Sequence, residues 1–483
     1  MIQHIPIVII GSGFGGLGTA IQLKRHGIED FVIFERAGDV GGVWRDNRYP
    51  GCACDVQSHL YSFSFAPNPN WTNNFSAQPE IWAYLQRCAR EFGITPHLRF
   101  HHEVRAAGWD AEARRWRIET SHGLFTANVL VAAAGSLSVP ALPQLPGLEQ
   151  FAGAMFHSAR WDTSLDLTGK RVAVIGTGAS AIQFVPAIQP QVAQLHLFQR
   201  TPPWVTPRPD RAFGWRERRL FARFPLLQRT MRGYIYGVRE LFGTAFRHPR
   251  LIRPLERTAR AHLASAISDP TLRAKLTPDY TIGCKRILVS NDYYPALAQP
   301  NVEVISEPII ELRPNAIVAG DGRVRPIDLL IFGTGFRITD FPFMQLVRGR
   351  DGRTMSEVWA GSPKAYLGTT VSGFPNLFIL QGPNTGLGHT SVVYMLEAQM
   401  LHIVAAVRHM RQHGLAALEP RPEAQTAFVR DVDAKMRGTV WVAGGCDSWY
   451  LDRTGRNSTL WPDFTWEFRR RAIRFTPKAY QAI

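Results

Sequence analysis

The chain is short of several things that would each have pointed to a class. It has five cysteines among 483 residues. That odd number fits neither a disulfide framework nor a zinc site, and Cys52 and Cys54 are too close together for the usual metal knuckle. A reduced, cytoplasmic chain that binds no metal is expected. No stretch approaches the roughly 20 apolar residues that span a bilayer. The first apolar run, residues 5–10 (IPIVII), has no charged leader and ends in glycines, so it reads as a strand and not a signal peptide. Charged residues make up 19% of the chain against 45% hydrophobic, a globular balance that excludes wholesale disorder.

Acidic residues are the scarcer sign, and the resulting net charge of +16 is uneven. Residues 206–280 contain 16 Lys+Arg and 6 Asp+Glu, a local surplus of +10. Aromatics such as Trp215, Phe224, Tyr234 and Phe246 are interleaved there. A helical insertion with a solvated basic face is the expected form. Peripheral contact with an anionic membrane, or with an acidic partner, comes next. Nucleic acid comes last, because no groove-reading module accompanies the charge.

What the chain does have is length for roughly three domains and two glycine turns. The run at 5–10 leads into Gly11-Ser12-Gly13-Phe14-Gly15-Gly16, then a helical stretch to about His26, then a second strand ending at Glu35. In such a unit Gly11 permits the tight turn, Gly13 admits a pyrophosphate to the backbone, and Gly16 lets helix pack on strand. The helix N-terminus offers unpaired N–H groups to phosphate. Glu35 can accept from both ribose hydroxyls and would repel a 2′-phosphate, so this unit suits FAD or NAD.

The pattern recurs. Residues 171–175 form a strand, followed by Gly176-Thr177-Gly178-Ala179-Ser180-Ala181 and a second strand at 195–198. Here the acid is missing and Gln199-Arg200-Thr201 follows. An arginine at that point can grip a 2′-phosphate bidentately, which selects NADP. Buried strands ending in glycine at 128–135 and 328–336 suit the passages between a flavin domain and an inserted nicotinamide domain. The expected fold is α/β, with two Rossmann-like dinucleotide-binding domains (FAD and NADP) and a helical insertion in the second. The expected boundaries are 1–140 and 341–483 for the FAD domain, 141–205 and 281–340 for the NADP domain, and 206–280 for the insertion.

Just before the second turn stands Phe151-Ala-Gly153-Ala-Met-Phe-His157-Ser-Ala-Arg-Trp161-Asp162. This matches the F-x-G-x-x-x-H-x-x-x-W-[P/D] fingerprint, and the chain resembles the type I Baeyer–Villiger monooxygenases. Gly41-Gly42-Val43-Trp44, Cys54-Asp55-Val56-Gln57-Ser58, Lys285-Arg286, Gly382-Pro383-Asn384 and Ser448-Trp449-Tyr450 extend the likeness over essentially the whole chain. Ala181 in place of glycine, and Gly333-Thr334-Gly335 in place of Ala-Thr-Gly, are mild departures that remove no reactive group.

The resemblance implies FAD and NADPH as cofactors. It implies insertion of one oxygen atom from O2 beside a ketone carbonyl, through a C4a-peroxyflavin, to give an ester or lactone. The substrate would be a small hydrophobic ketone. Arg286 matches the family's active-site arginine and would stabilise an anion without surrendering a proton. Asp55 would orient it through a charge-assisted pair on the FAD side. Lys285 would join Arg200 and Thr201 at the 2′-phosphate, beside the turn residues Gly176, Thr177, Gly178 and Ser180. Gly42 and Trp44 would pack near the flavin. Trp449 would close over the nicotinamide or substrate, or anchor a core. His157 reads as a linker residue coupling domain rotation to catalysis, or as a buried structural histidine.

Two other readings share the cofactors or the fold. A flavin monooxygenase acting on soft nitrogen or sulfur would not need the Arg286/Asp55 pair. A flavin-bound redox sensor or scaffold would use the basic insertion as its working surface. A disulfide reductase is set aside for want of a suitably spaced cysteine pair.

Overall fold

The structure, a computed structural model, describes residues 2–338 and 342–483. Strand β1 (Gln3–Ile10) is apolar because it lies between two parallel neighbours, β2 (Phe31–Phe34) and β6 (Gly123–Ala132). Beyond β2 lies the short β3 (Leu98–Arg99). On the other side the sheet turns antiparallel through β4 (Val104–Asp110), β5 (Arg115–Thr120) and β6, where a hairpin with alternating burial replaces the continuous apolar run. Helix α1 (Phe14–Arg25) follows β1 across the first glycine turn. A Cβ at Gly16 would stand 1.8 Å from the Gly11 carbonyl oxygen, so only glycine lets this helix start so close to its strand.

The chain then builds a second, five-stranded sheet in which all neighbours are parallel. It comprises β7 (Ala154–His157), β8 (Arg171–Ile175), β9 (Gln194–Phe198), β12 (Val302–Ile305) and β16 (Leu329–Phe332), in the order β12-β9-β8-β16-β7. Helix α4 (Ala181–Ile188) follows β8 across the second glycine turn. The basic stretch falls between β9 and β12. It begins after β10 (Val205–Thr206) with α5 (Trp215–Arg223), α6 (Pro225–Arg247), α7 (Arg253–Ala266) and α8 (Pro270–Lys275). It closes at β11 (Leu288–Val289), which pairs in parallel with β10. A three-stranded antiparallel meander, β13 (Ile309–Arg313), β14 (Ala316–Ala319) and β15 (Val324–Pro326), separates β12 from β16. The sequence pattern had not pointed to this meander.

Two later strands, β17 (Val347–Arg348) on β4 and β18 (Leu377–Ile379) on β6, return to the first sheet. The outgoing and returning connections run side by side. Ala141 N donates to Gly335 O (2.9 Å), Arg337 N to Val139 O (3.0 Å), and Thr334 Oγ1 to Ala141 O (2.6 Å).

The expectation of a fully reduced chain is overturned: Cys284 and Cys446 form a disulfide, while Cys52, Cys54 and Cys88 are free and buried. The partners are 162 residues apart, with Cα atoms 6.2 Å from each other. No local spacing rule pairs residues so distant; the fold alone brings them together. Among the described residues no helix is long and apolar enough to cross a membrane, and no group of three or more His, Cys, Asp or Glu is placed to hold a metal.

Candidate active site

In the first turn no side chain caps α1 at Gly13, so the helix presents open N–H groups. Gly42, with φ +54°, faces Gly13; a Cβ there would lie 3.1 Å from the Gly13 Cα. The space in front of the helix is thus kept by two glycines, which fits a pyrophosphate. Glu35 is buried at the end of β2. Its Oε2 accepts from Ser12 N (3.0 Å) and Ser12 Oγ (2.7 Å), and its Oε1 accepts from Ala37 N (3.0 Å) and pairs with Arg45 (3.0 Å). Arg45, which sequence reasoning missed, neutralises the buried carboxylate.

The second turn is built alike and charged differently. Gly176 has φ +105°, and a Cβ there would sit 2.4 Å from Gly333 O, whereas one at Gly178 would meet nothing nearer than that oxygen at 4.0 Å. The Gly178 backbone is therefore open to a ligand. Thr177 Oγ1 donates to Thr201 O at 3.4 Å, and Ser180 makes no side-chain cap on α4. Arg200 is exposed at the end of β9, and Lys285 lies half-buried near it. Burial and then the Arg200 charge lower the Lys285 pKa. Neither residue forms an ion pair with a carboxylate among the described residues, which fits a phosphate dianion.

Arg286 lies between the two units. Its Nε (3.1 Å) and Nη2 (2.6 Å) donate to Asp55 Oδ2, and its Nη1 donates to Leu387 O (3.0 Å). Both side chains are a little under one-third exposed, at 28% and 29%. The Asp55 charge raises the Arg286 pKa against the opposing effect of burial. Burial opposes the ionisation of Asp55, but the charge and hydrogen bonds of Arg286, with Arg239 beyond, outweigh it and hold the carboxyl below its ordinary value. The pair stays ionised, with one N–H on each terminal nitrogen of the guanidinium left to donate. Tyr450 also approaches: burial pushes its phenol up to about 12 against the pull of Arg286, and its hydroxyl is buried without a hydrogen-bond partner.

The loop carrying Asp55 is fixed by the other unit. Gln183, on α4, accepts from Tyr49 OH (3.0 Å) and donates to Ala53 O (3.0 Å). Trp44 donates to Tyr61 OH (3.1 Å) and packs where the cores of the two units meet.

A family described as flavin-binding monooxygenase-like matches residues 5–232. The chain is 53% identical over all of its 483 residues, and over 93% of the relative, to a Baeyer–Villiger monooxygenase of Streptomyces coelicolor. This chain belongs to the Baeyer–Villiger monooxygenases. The crystal structure of cyclohexanone monooxygenase from Rhodococcus sp. Phi1 bound to NADP+ superposes with a TM-score of 0.90 at 29% identity, covering 100% of this chain and 99% of the other. That of OTEMO in complex with FAD and NADP gives 0.89 at 26% identity, covering 99% of each. The monooxygenase accordingly has an FAD-binding and an NADP-binding Rossmann-like domain, with the helical insertion in the latter. It uses FAD and NADPH to oxygenate a ketone with O2. The heteroatom-oxygenase and redox-sensor readings are not favoured by these likenesses.

The fingerprint residues of the monooxygenase do not gather at Arg286. Phe151 is buried, and a Cβ at Gly153 would come 2.5 Å from Asp328 O, so both serve the packing of β7 beside β16. His157 ends β7, accepts from Ala159 N (3.1 Å), and meets Phe336 of the returning connection edge-on, with ring centroids 5.5 Å apart. Burial lowers its pKa. Trp161 packs on Phe184 of α4 (5.3 Å), and Asp162 accepts from Ser164 at the surface. Trp449 stands on Tyr450 (4.3 Å) and is 47% exposed. Sequence reasoning also missed the Leu387 carbonyl, Gln183 and Arg239. A backbone acceptor leaves no sequence signal, and Arg239 was one arginine among many in the basic stretch.

Proposed function

We propose that the enzyme converts a small hydrophobic ketone to an ester or lactone, with Arg286 as the cation beside the reacting oxygen and Asp55 as its positioning partner. The observation that carries this reading is the pair itself, joining a loop of the first unit to a segment of the second through two hydrogen bonds to one carboxylate oxygen. When bound, FAD reduced by NADPH supplies the oxygen-activating chemistry. The protein's part is to hold charge. A guanidinium does not give up its proton, so Arg286 steadies a developing oxyanion without quenching it. Asp55 and the Leu387 carbonyl fix its plane.

In the same reading Gly11, Gly13, Gly16, Gly42 and Glu35 hold the FAD, whose ribose hydroxyls exchange with contacts now made to Glu35. Trp44 packs beside the flavin. Gly176, Thr177, Gly178, Ser180, Arg200, Thr201 and Lys285 hold NADPH, with Trp449 closing over it. His157, at the end of β7, packs on the returning linker about which the domains turn. The domain limits are those expected from the sequence, 1–140 with 341–483 and 141–205 with 281–340, flanking the insertion at 206–280. The enzyme works in the cytoplasm, where the thiol pool sets the state of the Cys284–Cys446 pair.

The test mixes the protein with NADPH in air, with and without a panel of cyclic, linear and aryl ketones, and identifies products by mass spectrometry beside an Arg286→Ala variant. The wild type should consume NADPH faster with a ketone and give a product one oxygen heavier. The variant should still reduce its flavin but lose ester formation by on the order of 100- to 1000-fold. Oxygenation of amines or sulfides alone, equal in wild type and variant, would strip Arg286 of its role as the oxyanion's cation.

A further inference from the structure

Helix α6 carries apolar residues on its outer face as well as on its buried one. A helix on the surface of a water-soluble domain normally turns apolar residues inward and polar ones outward. Here Ile235, Ala245 and Phe246 do pack inward, but polar side chains anchor that same face and further apolar residues point outward. Gln228 donates to Asn68 O (2.6 Å), and Arg232 Nη1 donates to the carbonyls of His59 (2.8 Å), Leu60 (3.1 Å) and Ser62 (3.0 Å). Arg239 donates twice to Gln57 Oε1 (3.0 and 2.8 Å), and the Glu240 carboxylate accepts from Thr465 N (3.0 Å) and Oγ1 (2.6 Å). These bonds fix which way the helix faces.

The outward face carries Leu226, Leu227, Tyr234, Val238 and Leu241, with Phe224 just before the helix; Leu226, Tyr234 and Leu241 are 73%, 69% and 72% exposed. Of the 21 large hydrophobic side chains exposed among the described residues, nine lie between residues 215 and 251, so the clustering is not the ordinary scatter of apolar surface atoms. Around them stand exposed Arg216, Arg219, Arg223, Arg229 and Arg250. Residues 215–253 contain ten arginines and two acids. Glu217 is bound by Arg211, and Glu240 is buried. The exposed rim therefore has one sign.

We infer that α5 and α6 seat the enzyme on an anionic phospholipid surface, with the apolar stripe in the headgroup–acyl boundary and the arginines on the phosphates. An apolar stripe rimmed by arginine is the chemistry of an interfacial helix that lies on a membrane without crossing it. At 23 residues α6 is about 35 Å long. A second copy of the chain fits less well, because a two-fold contact on this face would set the same arginines against each other. The inference goes beyond the oxygenation reading and does not depend on it. Through Arg239 the same helix touches Gln57, two residues from Asp55, so a ketone dissolved in lipid would arrive at the helix that packs beside the Arg286–Asp55 pair.

The test is sedimentation of the FAD-loaded full chain with vesicles of phosphatidylcholine alone or with about one-third phosphatidylglycerol, at low and high salt. The anionic vesicles should carry the protein down, and salt should release it. Leu226→Glu/Leu241→Glu, both at exposed positions, should weaken partitioning by on the order of tenfold or more. Arg219→Gln/Arg223→Gln should weaken it several-fold, and only on anionic vesicles. Flavin content and turnover of a water-soluble ketone serve as the folding control for both variants. Equal or absent binding to the two vesicle types, or undiminished binding by the leucine variant, overturns the inference. So does a lipid-free dimer that the leucine variant turns into a monomer, which would give the face to a second copy.

Discussion

The two nucleotide units share one backbone device and differ in what stands at the end of the second strand. In the first, β2 leads into Glu35, which is buried, accepts three hydrogen bonds and is neutralised by Arg45. In the second, β9 ends near Arg200, which is exposed and has for neighbour another unpaired cation, Lys285. Strand, glycine turn and helix recur in both, an arrangement that opens backbone N–H groups to a phosphate. In the proposed reading, the choice between a bare ribose and a phosphorylated one is left to one position and its surroundings. Between the units, Asp55 and Arg286 meet with the same two signs and cancel.

The sharpest way to break this contrast is to remove its cation. Arg200→Ala should raise the KM for NADPH by roughly 10- to 100-fold while leaving that for NADH nearly unchanged. Steady-state kinetics with both cofactors measures this; an equal loss for both would mean that Arg200 does not read the 2′-phosphate.

A smaller effect separates the two cations. Because burial and Arg200 lower the pKa of Lys285, its proton leaves at a pH below the ordinary lysine value. The KM for NADPH should therefore climb by about tenfold on the alkaline side as one cation is lost. Lys285→Arg, which keeps its charge, should flatten that limb, and NADH should show none.

The smallest effect concerns the disulfide that ties Cys284, next to Lys285, to the loop bearing Trp449. Cys446→Ser should lower the thermal midpoint by several degrees and raise the KM for NADPH a few-fold, with flavin binding untouched. A change confined to the flavin side would sever the loop from the second unit.

Much of this was open to reading in one dimension. The turn at residues 11–16 and its partner at 176–181 lie within short windows, and so do the acid and the arginine that follow them. A helix starting on a glycine is a local event governed by sterics over a few residues. The α/β plan with two nucleotide units followed from those windows. The antiparallel meander at 309–326 escaped notice because its strands are three to five residues long, too short for periodicity to register.

The candidate centre was only half legible. Asp55 and Arg286 could be named separately from the segments that carry them, but their 2.6 Å contact spans 231 residues. The Leu387 carbonyl that completes the grip has no identity in a sequence at all. His157, read as a linker or a buried structural histidine, packs against Phe336 of the returning connection.

By itself the sequence determined the two glycine turns, the acid that follows one second strand and the arginine that follows the other, and a basic helical stretch, because each depends on neighbours a few residues apart. The tertiary structure alone decided that Cys284 meets Cys446, that Gln183 clamps the loop of Asp55, and that Gln228, Arg232, Arg239 and Glu240 anchor α6 to the first unit's loops and to Thr465. Those depend on which distant segments the packing of two sheets and their cores brings into contact, and a linear pattern carries no record of that.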